Sequence, residues 1–265
     1  MNGKNQNREF QLAIIICSTL ERNSIADTLN SIKNIPRNWQ VILVCPNFRN
    51  NKYQEKIEYY GQSINLTLVE DTGIGIYDAM NLGLKNTKSE FILFLNDDDA
   101  LIEKNIEKIS VKLKNMKVNG ILFLPYQEKN KSKIQLAPQA NLFKTKIGRM
   151  PTSHQAQIWP KYLLVQLHGF QSKISIPGFH RMMKLKIAAD FDMYLRATNL
   201  EVENEIYLEP LTIVKGGGIS DRKFHRRIFE TVLVLINQKK VTIFEGFWYF
   251  LKFEIGSFLR KIQHD

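Results

Sequence analysis

The run Asn96-Asp97-Asp98-Asp99 follows directly on the apolar stretch Phe91-Ile92-Leu93-Phe94-Leu95. Three adjacent carboxylates repel one another, so grouping them costs folding free energy unless positive charge compensates. A divalent cation is a natural compensator, and hard oxygen ligands suit Mg2+ or Mn2+. The alternative is a solvated turn in which Asp99 caps a helix beginning near Ala100. A second acidic pair, Asp190 and Asp192, stands in Ala188-Ala189-Asp190-Phe191-Asp192. Two positions apart on a helix, these side chains leave on different faces. One can serve a pocket while the other meets solvent or a cap, although carboxylates also gather at helix N-termini for dipole reasons alone. His154 belongs to the polar loop Met150-Pro151-Thr152-Ser153-His154-Gln155, ahead of Ile158-Trp159-Pro160. It is either a hydrogen-bonded structural histidine or a contact to a ligand.

The elements that must position these residues are legible as short apolar runs alternating with helical patterns. Leu12 to Cys17 is continuously apolar, as a strand buried on both faces should be. Asn23 or Ser24 can cap a helix that carries Ile25, Leu29 and Ile32 on one face. Trp39 to Val44, Leu66 to Val69, Phe91 to Leu95 and Ile121 to Leu124 read as further strands. Between them, Lys52 to Tyr60, the stripe Ile76, Met80 and Leu84, and the stripe Ile106, Ile109 and Leu113 read as helices. Four βα units in a row predict an α/β fold with a mainly parallel, doubly wound sheet. Ligands in such sheets bind beyond the carboxyl ends of the strands. That directs attention to Ser18 to Asn23, to Cys45 to Asn50 and to Asn96 to Asp99. The second half is less regular: a helical pattern covers Ile187 to Ala197, and Ile206 to Val214 reads as one strand-like segment before Gly216-Gly217-Gly218.

The chain has 265 residues, 44 % of them hydrophobic, with 14 glycines and 8 prolines, which excludes a disordered or low-complexity scaffold. Its formal net charge is +11, from 37 Lys+Arg against 26 Asp+Glu. Such an excess fits nucleic acid, an anionic membrane surface or phosphorylated ligands. Two cysteines, Cys17 and Cys45, make no disulfide framework and read as small buried residues in a reducing cytosol. Met1 to Phe10 is polar, no cleavable leader is visible, and no stretch reaches the roughly 18 uncharged apolar residues of a spanning helix.

Five ordered motifs give a specific resemblance. Gly75-Ile76-Tyr77-Asp78-Ala79-Met80-Asn81-Leu82-Gly83, Phe94 to Asp99, His154-Gln155-Ala156, Ala188 to Asp192 and Gly217-Gly218-Ile219-Ser220 closely resemble glycosyltransferase family 2, in its bacterial surface-polysaccharide type. The likeness spans roughly residues 10 to 220. It implies a GT-A (Rossmann-like) fold over residues 1–220, and inverting transfer of a sugar from a nucleotide diphosphate donor, with a uridine diphosphate sugar favoured. The acceptor class it implies is a glycan or a polyprenyl-diphosphate-linked chain. By position, Asp98 and Asp99 look like the metal ligands, Asp98 the better placed, for Mn2+ or Mg2+. Asp190 aligns with the catalytic base. Ser18, Glu21, Asn47, Asp78, Asn81, Asp97 and His154 are the expected contacts to the sugar donor or its diphosphate. Trp159 is expected to fill the core rather than stack on a sugar.

The chain departs from the family pattern at two turns. The second strand runs into Val44-Cys45-Pro46-Asn47-Phe48-Arg49-Asn50, with no acid where the family usually has one, and Cys17 to Arg22 is also altered. Asn47 can replace a carboxylate as a hydrogen-bond partner, without its charge. These changes keep a noncatalytic, nucleotide-sugar-binding or glycan-binding member of the same fold as the alternative reading.

Residues 221–265 form a basic, aromatic helical extension. Arg222, Lys223, Arg226 and Arg227 come first; Ile243, Phe244, Phe247, Trp248, Leu251, Ile255, Phe258, Leu259 and Ile262 then make one apolar helix stripe. Either the stripe packs on the catalytic domain or it lies on an anionic bilayer. The second option implies a peripheral position on the cytoplasmic face of the cell membrane. Lys129 to Arg149 holds six basic residues and no acid, a stretch suited to a phosphorylated acceptor. No nucleic-acid-binding motif or aromatic ladder is present, so nucleic acid is not an expected partner.

Overall fold

The computed structural model describes residues 10–21, 24–47, 51–116, 119–129, 134–135, 150–176, 181–200, 202–216, 218 and 222–262. Four βα units open the chain: β1 (Phe10–Cys17), α1 (Ser24–Ser31), β2 (Trp39–Cys45), α2 (Asn51–Gly61), β3 (Leu66–Glu70), α3 (Ile76–Lys85), β4 (Ser89–Asn96), the two-residue β5 (Ala100–Leu101) and α4 (Glu103–Asn115). There follow β6 (Leu122–Phe123), β7 (Tyr126–Glu128), β8 (Ile134–Gln135), a 3-10 turn (His154–Ala156), β9 (Gln157–Pro160), α5 (Lys161–Gln166), β10 (Lys173–Ser175) and β11 (Met182–Lys184). The remainder is α6 (Ala189–Thr198), β12 (Glu205–Ile206), β13 (Thr212–Val214), α7 (Phe224–Asn237) and α8 (Ile243–Ile262).

Seven strands make the main sheet in the order β12-β6-β9-β4-β1-β2-β3. Strands β1 to β4 are mutually parallel, and β9 alone runs antiparallel to its neighbours β4 and β6. The continuous apolar runs are explained by burial on both faces: Leu12, Ile14, Ile16, Leu93 and Leu95 join one core with α1 and α4, whereas Ala13, Ile15, Ile92 and Phe94 join another with α3, α5, α6 and α7. Helix α3 lies close on the sheet because of Gly83, where a Cβ would sit 2.4 Å from Ile15 Cγ2. Trp159 is buried in the core, as expected, on the short strand β9.

The sheet order reverses between β1 and β4, and the register sets Cys17 opposite Asn96. The polar turns after these two strands therefore open side by side. A second sheet, β5-β13-β7-β8, brings the end of β13 up to the acidic cluster.

Two local expectations need correction. No helix begins at Ala100, so Asp99 is not its cap: Ala100 and Leu101 pair with β13, and α4 starts at Glu103. The segment Ile206 to Val214 is not one strand. It divides into β12 in the main sheet and β13 in the second, on either side of Pro210, which has no N–H to give a ladder.

Helices α7 and α8 pack antiparallel. Phe229 and Phe250 meet at 6.1 Å between ring centroids, His225 Nδ1 lies 2.7 Å from Glu254 Oε2, and a Cβ on Gly246 would come within 2.7 Å of Ile236 Cδ1. Val232, Leu233, Val234 and Leu235 bury α7 in the protein. On α8, Ile243, Phe244, Phe247, Trp248 and Ile255 remain exposed.

Candidate active site

The turn after β1 is fixed by Ser18. Its hydroxyl donates to Asp97 Oδ2 at 2.8 Å and accepts the Leu20 N–H at 2.9 Å. Leu20 is held at φ 62°, a left-handed conformation that costs energy in a residue with a Cβ. Ser18 thus spends its hydroxyl on binding the β1 turn to the β4 turn. Glu21 is exposed.

The three aspartates after β4 have different surroundings. Asp97 is nearly buried against Ser18. Asp99 is 2 % exposed, and its Oδ1 accepts the Lys215 N–H at 2.9 Å. Burial pushes the Asp99 carboxyl above its ordinary pKa and neighbouring Asp98 adds to this, while Lys215 N–H, His154 and Gln155 pull the other way. Asp98 keeps the most exposed carboxylate of the three, with Lys215 Nζ 3.7 Å from its Oδ2. Among the described residues, no three His, Cys, Asp or Glu side chains gather into a ready-made metal site. The donor set nevertheless fits Mg2+ or Mn2+, which commonly take one or two carboxylates and complete their shell with water and substrate phosphate. Asp98 is the more open ligand for that role, while Asp99 is buried with its Oδ1 on the Lys215 N–H and its Oδ2 without a hydrogen-bond partner among the described residues.

Asp190 sits in the first turn of α6. Its Oδ1 accepts the Phe191 N–H at 2.8 Å and lies 3.3 Å from the Tyr77 hydroxyl, and its Oδ2 is 3.4 Å from His154 Nδ1. The His154–Ala156 turn packs on β4, and both His154 and Gln155 act on Asp99. One three-residue turn therefore stands between Asp190 and the acidic cluster. Asp192 points elsewhere, fully buried, with Arg196 Nε 2.8 Å from Oδ2 and Gln238 Nε2 2.8 Å from Oδ1. This is the two-face division that the i, i+2 spacing predicts.

The α3 residues are engaged by the protein itself. Asn81 donates to the Phe170 carbonyl at 2.8 Å and accepts the Phe170 N–H at 2.9 Å, so its amide is committed to the chain after α5. Asp78 accepts from Ser172 at 3.3 Å and pairs with Lys184 at 3.7 Å, and Lys184 also donates to the Ile74 carbonyl.

The β2 turn, which has no acid of its own, is hydrogen-bonded to the acidic end of β3. Asn47, at φ 51°, donates its N–H to Glu70 Oε1 at 2.7 Å, and the Asp71 N–H donates to the Cys45 carbonyl at 3.1 Å. Burial pushes the Cys45 thiol up to about 12, with Glu70 and Asp71 adding to it; burial, Asp71 and Asp97 raise Cys17 as well. Neither thiol is a thiolate nucleophile near neutral pH. Cys45 is buried as expected, whereas Cys17 is only partly so. Glu70, Asp71 and Tyr77 lie in or beside the motif that carries the family resemblance but, like Lys215, are given no role by the sequence. The signal for the first two is an acidic pair closing an apolar strand.

The sequence profile named "Glycosyl transferase family 2" matches residues 13–171, more than half of the chain. The chain belongs to glycosyl transferase family 2. Residues 13–171 are accordingly a glycosyltransferase domain. No sequence among the curated proteins matches the chain. Among solved structures, residues 1–349 of Staphylococcus aureus TarS superpose with a TM-score of 0.62 at 17 % identity, covering 86 % of this chain and 66 % of that one. The same TarS piece in complex with UDP-GlcNAc also gives 0.62 at 17 %, over 86 % and 67 %. The mannosyltransferase PcManGT of Pyrobaculum calidifontis, in complex with GDP-Man and Mn2+, gives 0.58 at 15 %, over 89 % and 66 %. The chain spans about two thirds of these chains and 40 % of the longer TarS structure, and at 15–17 % identity the likeness shows the shared GT-A fold. Of the expected motifs, Gly217, Ile219 and Ser220 lie outside the described residues, as do Lys131, Lys133, Lys144, Lys146 and Arg149 of the basic stretch. Lys129 lies inside them, 3.6 Å from Asp27.

Proposed function

We propose that the transferase moves a sugar, with inversion, from a nucleotide diphosphate to a hydroxyl of a glycan or polyprenyl-diphosphate-linked acceptor in bacterial surface polysaccharide synthesis. The observation that carries this reading is the placement of the Asp190 carboxylate across the His154–Ala156 turn from the acidic cluster at the sheet's switch point. The acceptor oxygen attacks the anomeric carbon, and its proton passes to Asp190. The bond from that carbon to the diphosphate breaks with its electron pair on the leaving oxygen. A carboxylate base at hydrogen-bond reach contributes about 10²–10⁴-fold. A divalent cation held by Asp98 would supply positive charge for the departing diphosphate. Asp71 and Glu70, hydrogen-bonded to the β2 turn, are the candidate partners of the nucleoside, with Asn47 beside them.

A UDP-sugar is the favoured donor, since TarS binds UDP-GlcNAc; PcManGT binds GDP-Man, which keeps guanosine donors in the test. A panel of UDP-, GDP- and dTDP-sugars with Mn2+ or Mg2+ is expected to show hydrolysis and a raised melting temperature with a uridine donor. Binding without turnover for every donor would instead support a noncatalytic member.

No helix among the described residues is long and apolar enough to cross a membrane. We infer that the exposed face of α8 rests on an anionic leaflet, the cytoplasmic face where lipid-linked acceptors are elongated. Its aromatic side chains suit the headgroup level, and Lys239, Lys240 and Lys252 are exposed on the same hairpin. The full chain is expected to co-sediment with phosphatidylglycerol vesicles, and a Phe244→Ser, Phe247→Ser, Trp248→Ser variant to lose most of that binding. Equal sedimentation of the variant would refute the placement.

A further inference from the structure

Glu230 lies in the middle of α7, has no exposed surface, and is the one acid of that helix. Its Oε2 accepts the backbone N–H groups of Lys186 at 3.0 Å, Ile187 at 2.7 Å and Ala188 at 3.1 Å. Oε1 takes Lys186 N–H at 3.1 Å and Arg226 Nε at 2.6 Å. Arg226 also reaches the Lys184 carbonyl at 3.3 Å. The carboxylate thus collects three successive amides of the turn that leads into α6, two residues before Asp190. Tyr77 holds the same turn from the other side, its hydroxyl donating to the Ile187 carbonyl at 2.6 Å and standing 3.3 Å from Asp190 Oδ1.

A carboxylate is the chemical group this arrangement needs. Several N–H donors converge on it, and only an acceptor with two oxygens and no hydrogen can satisfy them all. A glutamine there would offer one oxygen and turn an NH2 group towards the remaining N–H groups. Left unmatched, those buried donors would drive the turn to shift. The residue that shifts with it is Asp190, whose carboxylate is referenced to the turn through Tyr77 and to its own helix through Phe191 N–H.

We propose that Glu230 is a positioning residue for Asp190. Through it, α7 sets the height and direction from which the carboxylate meets the acceptor hydroxyl. The proposal rests on the reading of Asp190 as the base. Helix α7 is therefore part of the catalytic apparatus, beyond its packing on the core.

The test measures kcat, KM for the sugar donor, UDP affinity and melting temperature in the full chain. Glu230→Gln is expected to lower kcat by about 10²-fold, the scale of an ångström-sized misplacement, with donor KM and UDP affinity within twofold of wild type. Leu233→Ala, a buried change on the same helix, is expected to lower the melting temperature while keeping kcat at temperatures where the protein is folded. Tyr77→Phe, which removes a single oxygen, is expected to lower kcat about tenfold and carries the test if Glu230→Gln does not fold. Wild-type kcat in folded Glu230→Gln, or in Tyr77→Phe when the first variant is unfolded, overturns the proposal. So does a kcat loss in Leu233→Ala equal to that of Glu230→Gln. Full turnover in Asp190→Asn would instead overturn the base itself, a distinguishable result.

Discussion

Asp190→Asn is expected to reduce turnover by about 10²–10⁴-fold, the range attached to a positioned general base, while UDP affinity and the melting temperature stay near wild type. The substitution is nearly isosteric. The remaining oxygen can still accept the Phe191 N–H, which Asp190 Oδ1 accepts at 2.8 Å. What disappears is the ability to take a proton from the acceptor hydroxyl. Single-turnover transfer to a glycan acceptor, with calorimetry for UDP, separates that loss from a binding defect, and transfer at the wild-type rate would remove Asp190 from its role. Asp192 provides the contrast. Its carboxylate is buried and answers Arg196 and Gln238. Asp192→Ala is therefore expected to act on folding, by about 3 kcal/mol for a broken buried pair, read as a lowered denaturation midpoint.

The second large effect is expected at Asp98. Asp98→Ala should lower turnover by about 10²–10³-fold, the cost of removing one group that stabilises charge developing in the transition state. In the wild type, EDTA should reproduce most of that loss, and Mn2+ or Mg2+ should restore activity. In the variant, added metal should restore little. Asp98 is singled out because Asp97 is bound to Ser18 and Asp99 is buried on the Lys215 amide. Lys215 Nζ, 3.7 Å from Asp98, is the resident countercharge of that carboxylate. Wild-type turnover unaffected by EDTA would overturn the metal assignment and pass the task of meeting the diphosphate to Lys215.

The contrast between Asp190 and Asp192 shows how far local pattern reaches. Spacing of two on a helix already separates the faces, and the motif resemblance assigns the base role to Asp190. What neither displays is the set of long-range partners: Tyr77 and His154 on one side, Arg196 and Gln238 on the other. Similarly, the four opening βα units are legible because a strand buried on both faces must be continuously apolar. In the second half the helices at 189–198 and 243–262 were legible but the strands were not, because they have two to four residues and take their ladder partners from distant segments. Ile206 to Val214 carries one apolar pattern but serves two sheets, a division imposed by Pro210 and by the partners on either side.

The +11 charge follows from composition, and the four βα units, the acidic cluster at a strand's carboxyl end and the five ordered motifs from residue order. The last three are local properties: burial pattern, adjacency of like charges, spacing. Tertiary structure decided which partners each carboxylate meets. It also supplied Glu70 and Asp71 at a turn whose own residues hold no acid, and fixed the Asp190 turn through Glu230 from a helix more than forty positions away in the chain. The physical reason is the same in each case. A buried polar group must find a partner, and the partner is chosen by what the packed sheet and helices bring within 3 Å or so, which the order of residues does not display.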